Sequence, residues 1–163
     1  LLPAGHAAHE VGLPVVVKPV AADNSAGVSV VHEPESLPAA LAEAFGHGPR
    51  ALVERFIPLG REVRCGVIDL GGGPRVLPLE EYAVDAEVRG AADKLRPAQG
   101  GAGLELVAKT TDRAWIVDTS DPVCGPVGAA ALAAYRALGC RHYGLFDLRI
   151  APAGRPWFLE ASL

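Results

Sequence analysis

Apolar and polar residues alternate along several short runs of this chain, and two stretches change to a helical period. Pro14-Val-Val-Val-Lys18-Pro19 is a β-branched run closed by proline, which predicts a strand. Val28 to Val31 resumes the strand pattern after Ala21 to Gly27, so a hairpin joins the two pieces. Leu37, Ala40, Leu41, Ala44 and Phe45 fall at i, i+3, i+4, i+7 and i+8, one apolar face of a helix. Glu33-Pro34-Glu35 opens that helix and Gly46-His47-Gly48 stops it. Residues 51–54 and 61–68 read as two further strands. In the second, Glu62, Arg64, Gly66 and Ile68 point one way, and Val63, Cys65 and Val67 the other.

Residues 71–103 are less regular and hold the glycine clusters Gly71–Gly73 and Gln99–Gly103. They predict hairpin loops or a lid segment, with short strands near 75–77, 81–83 and 104–107. A second helix is predicted from about Pro126 to Leu138. Val127, Ala130, Ala131, Ala134, Tyr135 and Leu138 share one face, and Gly139 marks the stop. Strands at 143–150 and 156–160 close the chain around the turn Ala151-Pro-Ala-Gly154. Strands dominate, two helices cover them and the connections read as antiparallel, which makes the class α+β.

Composition narrows the partners. Half of the 163 residues are hydrophobic, 21% are charged and the formal net charge is −4, which excludes a disordered chain. Three lysines and twelve arginines form no basic stripe, so no nucleic-acid partner is expected. The longest apolar run, nine residues from Val127 to Tyr135, falls far short of the ~18–20 that a membrane helix needs, so no membrane is expected either. Cys65, Cys124 and Cys140 are odd in number and far apart, which points to a reducing compartment, the cytoplasm. His6, His9, His32, His47 and His142 show no metal-ligand spacing. There is no methionine, even at position 1, so the sequence reads as a piece of a longer chain.

Three places carry chemistry-bearing residues. In the first hairpin, Ser25 offers a hydroxyl and Gly27 allows close backbone approach to an anion, just after Lys18; a plain turn is the alternative. Glu54 and Glu62 flank Arg55-Phe-Ile57-Pro-Leu-Gly60, so strand-end carboxylates can reach one small ligand, or can simply be solvated. Asp147 and Glu160 each interrupt an apolar strand, where a carboxylate is costly without a cation or proton partner. Two carboxylates on neighbouring strands, with the Ser162 hydroxyl two residues on, suit Mg²⁺. An internal salt bridge to Arg149 or Arg141 is the competing reading.

Five motifs occur in a fixed order: VVV-Lys18-P, the small-residue loop, LV-Glu54-RFIPLGR-Glu62-V, GLF-Asp147 and WFL-Glu160-A-Ser162. In this the chain resembles the ATP-grasp superfamily, and within it the C-terminal catalytic domain of the D-alanine–D-alanine ligase type. The resemblance implies an ATP-grasp domain over 14–163, preceded by a linker at 1–13. It divides into subdomains of about 14–60 and 61–163, with the second truncated at its C-terminus. It implies ATP and Mg²⁺, with Mn²⁺ as the alternative ion, and small carboxylate and amine substrates such as amino acids; a homodimer is compatible with it. Lys18 would hold phosphates, Ser25 and Gly27 would close over them, Glu54 and the backbone of Arg55, Phe56 and Ile57 would line the adenine site, and Glu62 would take the ribose hydroxyls. Lys109 would be the second phosphate-contacting and catalytic lysine, with Lys94 the alternative. Asp147, Glu160 and Ser162 would hold the metal.

The implied reaction is an ADP-forming carboxylate–amine ligation through an acylphosphate, with the isolated piece expected to be inactive. Three positions depart from the pattern. Leu145 stands where such ligases carry an arginine, leaving Arg149, ~6–7 Å along the strand, as the catalytic guanidinium. Ser162 replaces an asparagine, and Asp23 places a negative charge in the phosphate loop. A catalytically degenerate nucleotide-binding module of the same fold is the alternative function.

Overall fold

The computed structural model describes residues 9–22, 24–88 and 110–163, together with the backbone of 95–97 and 104–106. Lys94, Lys109 and Asp23 lie outside the described residues. The chain divides into two compact units, Leu1–Phe56 with Asp85–Ala108, and Ile57–Val84 with Lys109–Leu163.

The first unit holds a three-stranded antiparallel sheet of β1 (Val15–Pro19), β2 (Ser29–Val31) and β3 (Ala51–Arg55), with β1 in the centre. Valine is favoured on a half-buried pleated surface, and Val15, Val17 and Val31 are fully buried here. They pack with Leu37, Ala40, Leu41 and Ala44 of α1 (Leu37–Gly46). The helix face is therefore the one its period dictates, except that Phe45 is half-exposed. Strands β7 (Leu95–Pro97) and β8 (Leu104–Leu106) form a separate antiparallel pair.

The β1–β2 loop is held in an uncommon backbone conformation. Asn24, Ser25 and Gly27 all have positive φ, at 53°, 60° and 69°. A Cβ on Gly27 would lie 2.6 Å from His47 Cδ2 and 2.9 Å from Pro19 Cγ, so both the dihedral and the space require glycine. Gly27→Ala is therefore expected to cost about 1–2 kcal/mol in urea unfolding, against no measurable change for Gly48→Ala, where a Cβ meets nothing.

The second unit is built on an antiparallel sheet ordered β11 (Pro156–Ser162), β10 (Tyr143–Ile150), β4 (Arg61–Ile68), β6 (Glu80–Tyr82), β9 (Ala114–Ile116), with β5 (Arg75–Val76) paired to β4. The β9 strand was not anticipated; its three residues are too few to show a period. Val63, Cys65, Val67, Phe146, Leu148 and Ile150 form one face, packed on Val127, Ala131 and Tyr135 of α2 (Cys124–Ala137). Leu138, assigned to the buried face by its spacing, lies just past the helix end and is exposed. Burial pushes the Cys65 thiol up to about 11. Neither α1 nor α2 is long and apolar enough to cross a membrane.

At the rim of this core, Arg61 forks onto Glu81 (Nη2–Oε2 2.6 Å, Nε–Oε1 2.9 Å) and reaches Asp121 at 2.9 Å. Asp121 also accepts the backbone N–H of Val123 at 3.0 Å, in the turn that enters α2. That N–H, with Arg61 adding to it, holds the Asp121 carboxyl below its usual range. A lowered folded-state pKa adds stability above the unfolded value of ~3.9 and loses it as pH falls through the folded value. Asp121→Ala should accordingly lower the thermal midpoint at pH 7, and the difference from the parent chain should shrink as the pH is taken towards 3.

Candidate functional site

In the first unit, β1 and β3 pair with Val16 opposite Glu54 and Lys18 opposite Leu52. Lys18 and Glu54 are thus diagonal neighbours on the sheet face turned away from α1. Lys18 Nζ sits 2.7 Å from Glu54 Oε1, with both side chains partly exposed. The two residues assigned to opposite ends of a nucleotide are here each other's ion partner. Phe56 N–H donates to the Pro14 carbonyl at 3.1 Å and the Phe56 ring lies tilted against His32, which fixes the chain as it leaves β3. Arg55 is exposed. His32 and Glu87 are joined at 2.9 Å.

In the second unit, strand alternation turns one face of the sheet to apolar packing and leaves the other polar. Eight consecutive pairs between β4 and β10 set Asp147 opposite Arg64, Arg149 opposite Glu62 and Leu145 opposite Gly66. On the other side of β4, Glu62 pairs with Tyr82 and Arg64 with Glu80. Glu62, Arg64, Asp147, Arg149, Glu80 and Tyr82 therefore share a single surface.

Two ion pairs run across it, and they differ in depth. Arg149 is 2% exposed; its Nη2 lies 2.7 Å from Glu62 Oε2, and its Nη1 donates to the Ile57 carbonyl at 3.1 Å. Arg64 forks onto Asp147, Nε to Oδ1 at 2.7 Å and Nη2 to Oδ2 at 3.0 Å, with the two side chains 31% and 20% exposed. Its guanidinium also lies 5.4 Å from the centre of the Tyr82 ring. The Tyr82 hydroxyl donates to the Glu80 carboxylate, and burial above all, helped by that bond, pushes the phenol up. Asp147 raises the Arg64 guanidinium against the opposing effect of burial.

A β-bulge brings Glu160 to this face. From the turn, β11 pairs Ile150 with Pro156, Arg149 with Trp157 and Leu148 with Phe158; the register then shifts, and Asp147 faces Glu160. Leu159 is the extra residue. Without the shift, the pairing would set Glu160 opposite Phe146, on the apolar face. With it, Glu160 and Asp147 are direct cross-strand neighbours, and Ser162 stands opposite Leu145.

A hard divalent ion suits this donor set: two carboxylates and a hydroxyl, few enough that the remaining positions stay open for water and phosphate. Among the described residues there is no group of three or more His, Cys, Asp or Glu that could hold a metal. Asp147, Glu160 and Ser162 thus bring two carboxylates and a hydroxyl to one face, too few donors for a closed structural site. The salt-bridge reading of Asp147 also finds a counterpart, with Arg64 as its partner where Arg149 or Arg141 was anticipated. Arg149, read as the reacting guanidinium, is instead held on Glu62. Arg64 and Tyr82 were missed; the alternation of β4 put Arg64 beside Glu62, but only the β4–β10 register reveals Asp147 as its partner.

The chain was compared with known proteins. The family model for the D-ala D-ala ligase C-terminus matches residues 4–162. A D-alanine–D-alanine ligase of Pelobacter propionicus is 37% identical over 155 residues, covering 93% of this chain and 44% of its own length. One from Geobacter sulfurreducens is 34% identical over 162 residues, covering 93% and 43%. Among solved structures, the VanG D-Ala:D-Ser ligase of Enterococcus faecalis superposes with a TM-score of 0.71 at 24% identity, covering 96% of this chain and 42% of that one. The D-alanine–D-alanine ligase of Bacillus anthracis gives 0.69 at 22% identity, covering 99% and 46%. The chain spans less than half the length of the relatives it matches. With a family model matched over nearly its whole length, this chain belongs to the D-alanine–D-alanine ligase C-terminal domain family and has the α+β ATP-grasp fold.

Proposed function

We propose that this chain is the ATP- and metal-binding catalytic part of an ADP-forming carboxylate–amine ligase of the cytoplasm. Its substrates are amino acids, with D-alanine the first to test because the relatives bear that name. The observation that carries the reading is the polar face of the second unit. It sets Asp147 directly opposite Glu160 and keeps Glu62 fixed by a buried guanidinium. The three free cysteines agree with a reducing compartment.

The residues take roles that follow from their surroundings. Glu62 is buried and Arg149 holds it in one position, so it can accept hydrogen bonds from a pair of vicinal hydroxyls such as those of ribose. Arg149 acts through Glu62 and is a positioning residue. Lys18 carries its charge beside the strained Ser25–Gly27 loop and exchanges Glu54 for a polyphosphate. Glu54, released from Lys18, accepts from an adenine amino group. Asp147, Glu160 and Ser162 would hold Mg²⁺, or Mn²⁺ in its place, and such an ion neutralises phosphoryl oxygens as a carboxylate is activated at the expense of ATP. Lys109 is retained as the second phosphate lysine.

Because the chain spans less than half the length of its relatives, the tests concern nucleotide binding. Isothermal calorimetry should show ATP binding that strengthens on adding Mg²⁺. Glu160→Ala should remove most of that Mg²⁺ dependence while leaving the metal-free binding in place. A folded chain that binds no Mg²⁺·ATP would overturn the nucleotide reading; full Mg²⁺ dependence in Glu160→Ala would overturn the metal assignment alone.

A second measurement addresses Glu62. The parent chain should prefer ATP to 2′,3′-dideoxy-ATP, and Glu62→Gln should lose about five- to tenfold of that preference, as expected for one charge-assisted hydrogen bond. An unchanged preference would remove Glu62 from the ribose site.

A further inference from the structure

The proposed roles leave Arg64 unassigned, although its side chain engages the same carboxylate that would ligate the metal. Both oxygens of Asp147 are taken by its fork, at 2.7 and 3.0 Å. That fork uses two of the carboxylate's roughly four lone-pair sites, so a cation ligated by Asp147 either displaces one of the bonds or takes a remaining site close to a guanidinium of like charge. In either case metal and arginine weaken each other's hold on the carboxylate.

The second ion pair of the face shows why this one is the exchangeable pair. The side chains of Arg149 and Glu62 are 3% and 10% exposed, and Arg149 donates a further bond to the Ile57 carbonyl, so separating them would leave a buried charge uncompensated. Arg64 and Asp147 are 31% and 20% exposed, which lets water and ions reach them. Arg64 also has somewhere to go. The Tyr82 ring lies 5.4 Å from its guanidinium, and Glu80 is its cross-strand neighbour on β6. A guanidinium released from Asp147 keeps a π face and a nearby carboxylate.

We infer that Arg64 is an internal countercation of Asp147 that competes with the divalent ion and so sets how tightly this chain takes its metal. The inference rests on Asp147 being a metal ligand. It predicts that the metal-free chain keeps Asp147 charge-compensated, and that removing Arg64 strengthens metal binding where loss of a merely structural ion pair would weaken it.

The test is titration of the 163-residue chain with Mn²⁺ alone, reading free ion by its electron paramagnetic resonance signal. Arg64→Leu should bind Mn²⁺ roughly five- to tenfold more tightly than the parent chain, through loss of both the competing ion pair and the like-charge repulsion. Arg64→Lys, which keeps the charge and loses the fork, should fall between the two. Circular dichroism confirms that the variants are folded, and Arg64→Lys decides the matter if Arg64→Leu is not. Equal or weaker Mn²⁺ binding in the folded variants, with binding lost in Asp147→Asn, would overturn the competition while keeping the metal site. Unchanged binding in Asp147→Asn would instead overturn the metal site itself.

Discussion

Eight uninterrupted antiparallel pairs between β4 and β10 are the constraint on which the second unit depends. They bury Val63, Cys65 and Val67 beside Phe146, Leu148 and Ile150 under α2, and the same pleat forces the intervening residues onto the opposite surface. Since the period is two, a slip of one residue would turn over the strand that moves, setting its two charged groups into the apolar layer and its apolar residues onto the polar face. The energetics of packing thus hold the chemistry in place. Glu62 meets Arg149 and Asp147 meets Arg64 in the register that these eight pairs set, and any shift by one residue would forfeit the core.

The first unit obeys the same rule on a smaller scale. Its three strands bury valines against α1 and leave Lys18 and Glu54 on the outer face, where they neutralise each other. Both units therefore hold the charges of their polar sheet faces in salt bridges. The Lys18–Glu54 and Arg64–Asp147 pairs are partly exposed, whereas Arg149–Glu62 is buried. On the proposed reading, depth of burial more than residue type separates the groups that would receive a ligand from those that would position them.

Much of the fold was legible in the sequence. The helical period from Leu37 to Ala44 and the alternation through β4 and β10 are long enough to stand out, and both set the observed faces. Phe45 and Leu138 were misplaced because a period continues on paper past the point where the partner surface ends. Ion partners across the sheet were not legible. Arg149 read as the reacting guanidinium because it shares a strand face with Asp147. Its partner is set by the register with β4, where Glu62 lies directly opposite. Arg64 was passed over for the same reason: its carboxylate is 83 residues away, and nothing local to β4 announces it.

The bulge at Leu159 has a consequence for how such a hairpin can diverge. Its turn end and its site end run in registers that differ by one residue, so the extra residue acts as a phase buffer between them. A one-residue gain or loss near the Ala151–Arg155 turn can be absorbed at Leu159 without carrying Glu160 to the other face of the sheet. Sequence changes at one end of the hairpin are then free to accumulate while the carboxylate at the other end keeps its neighbour.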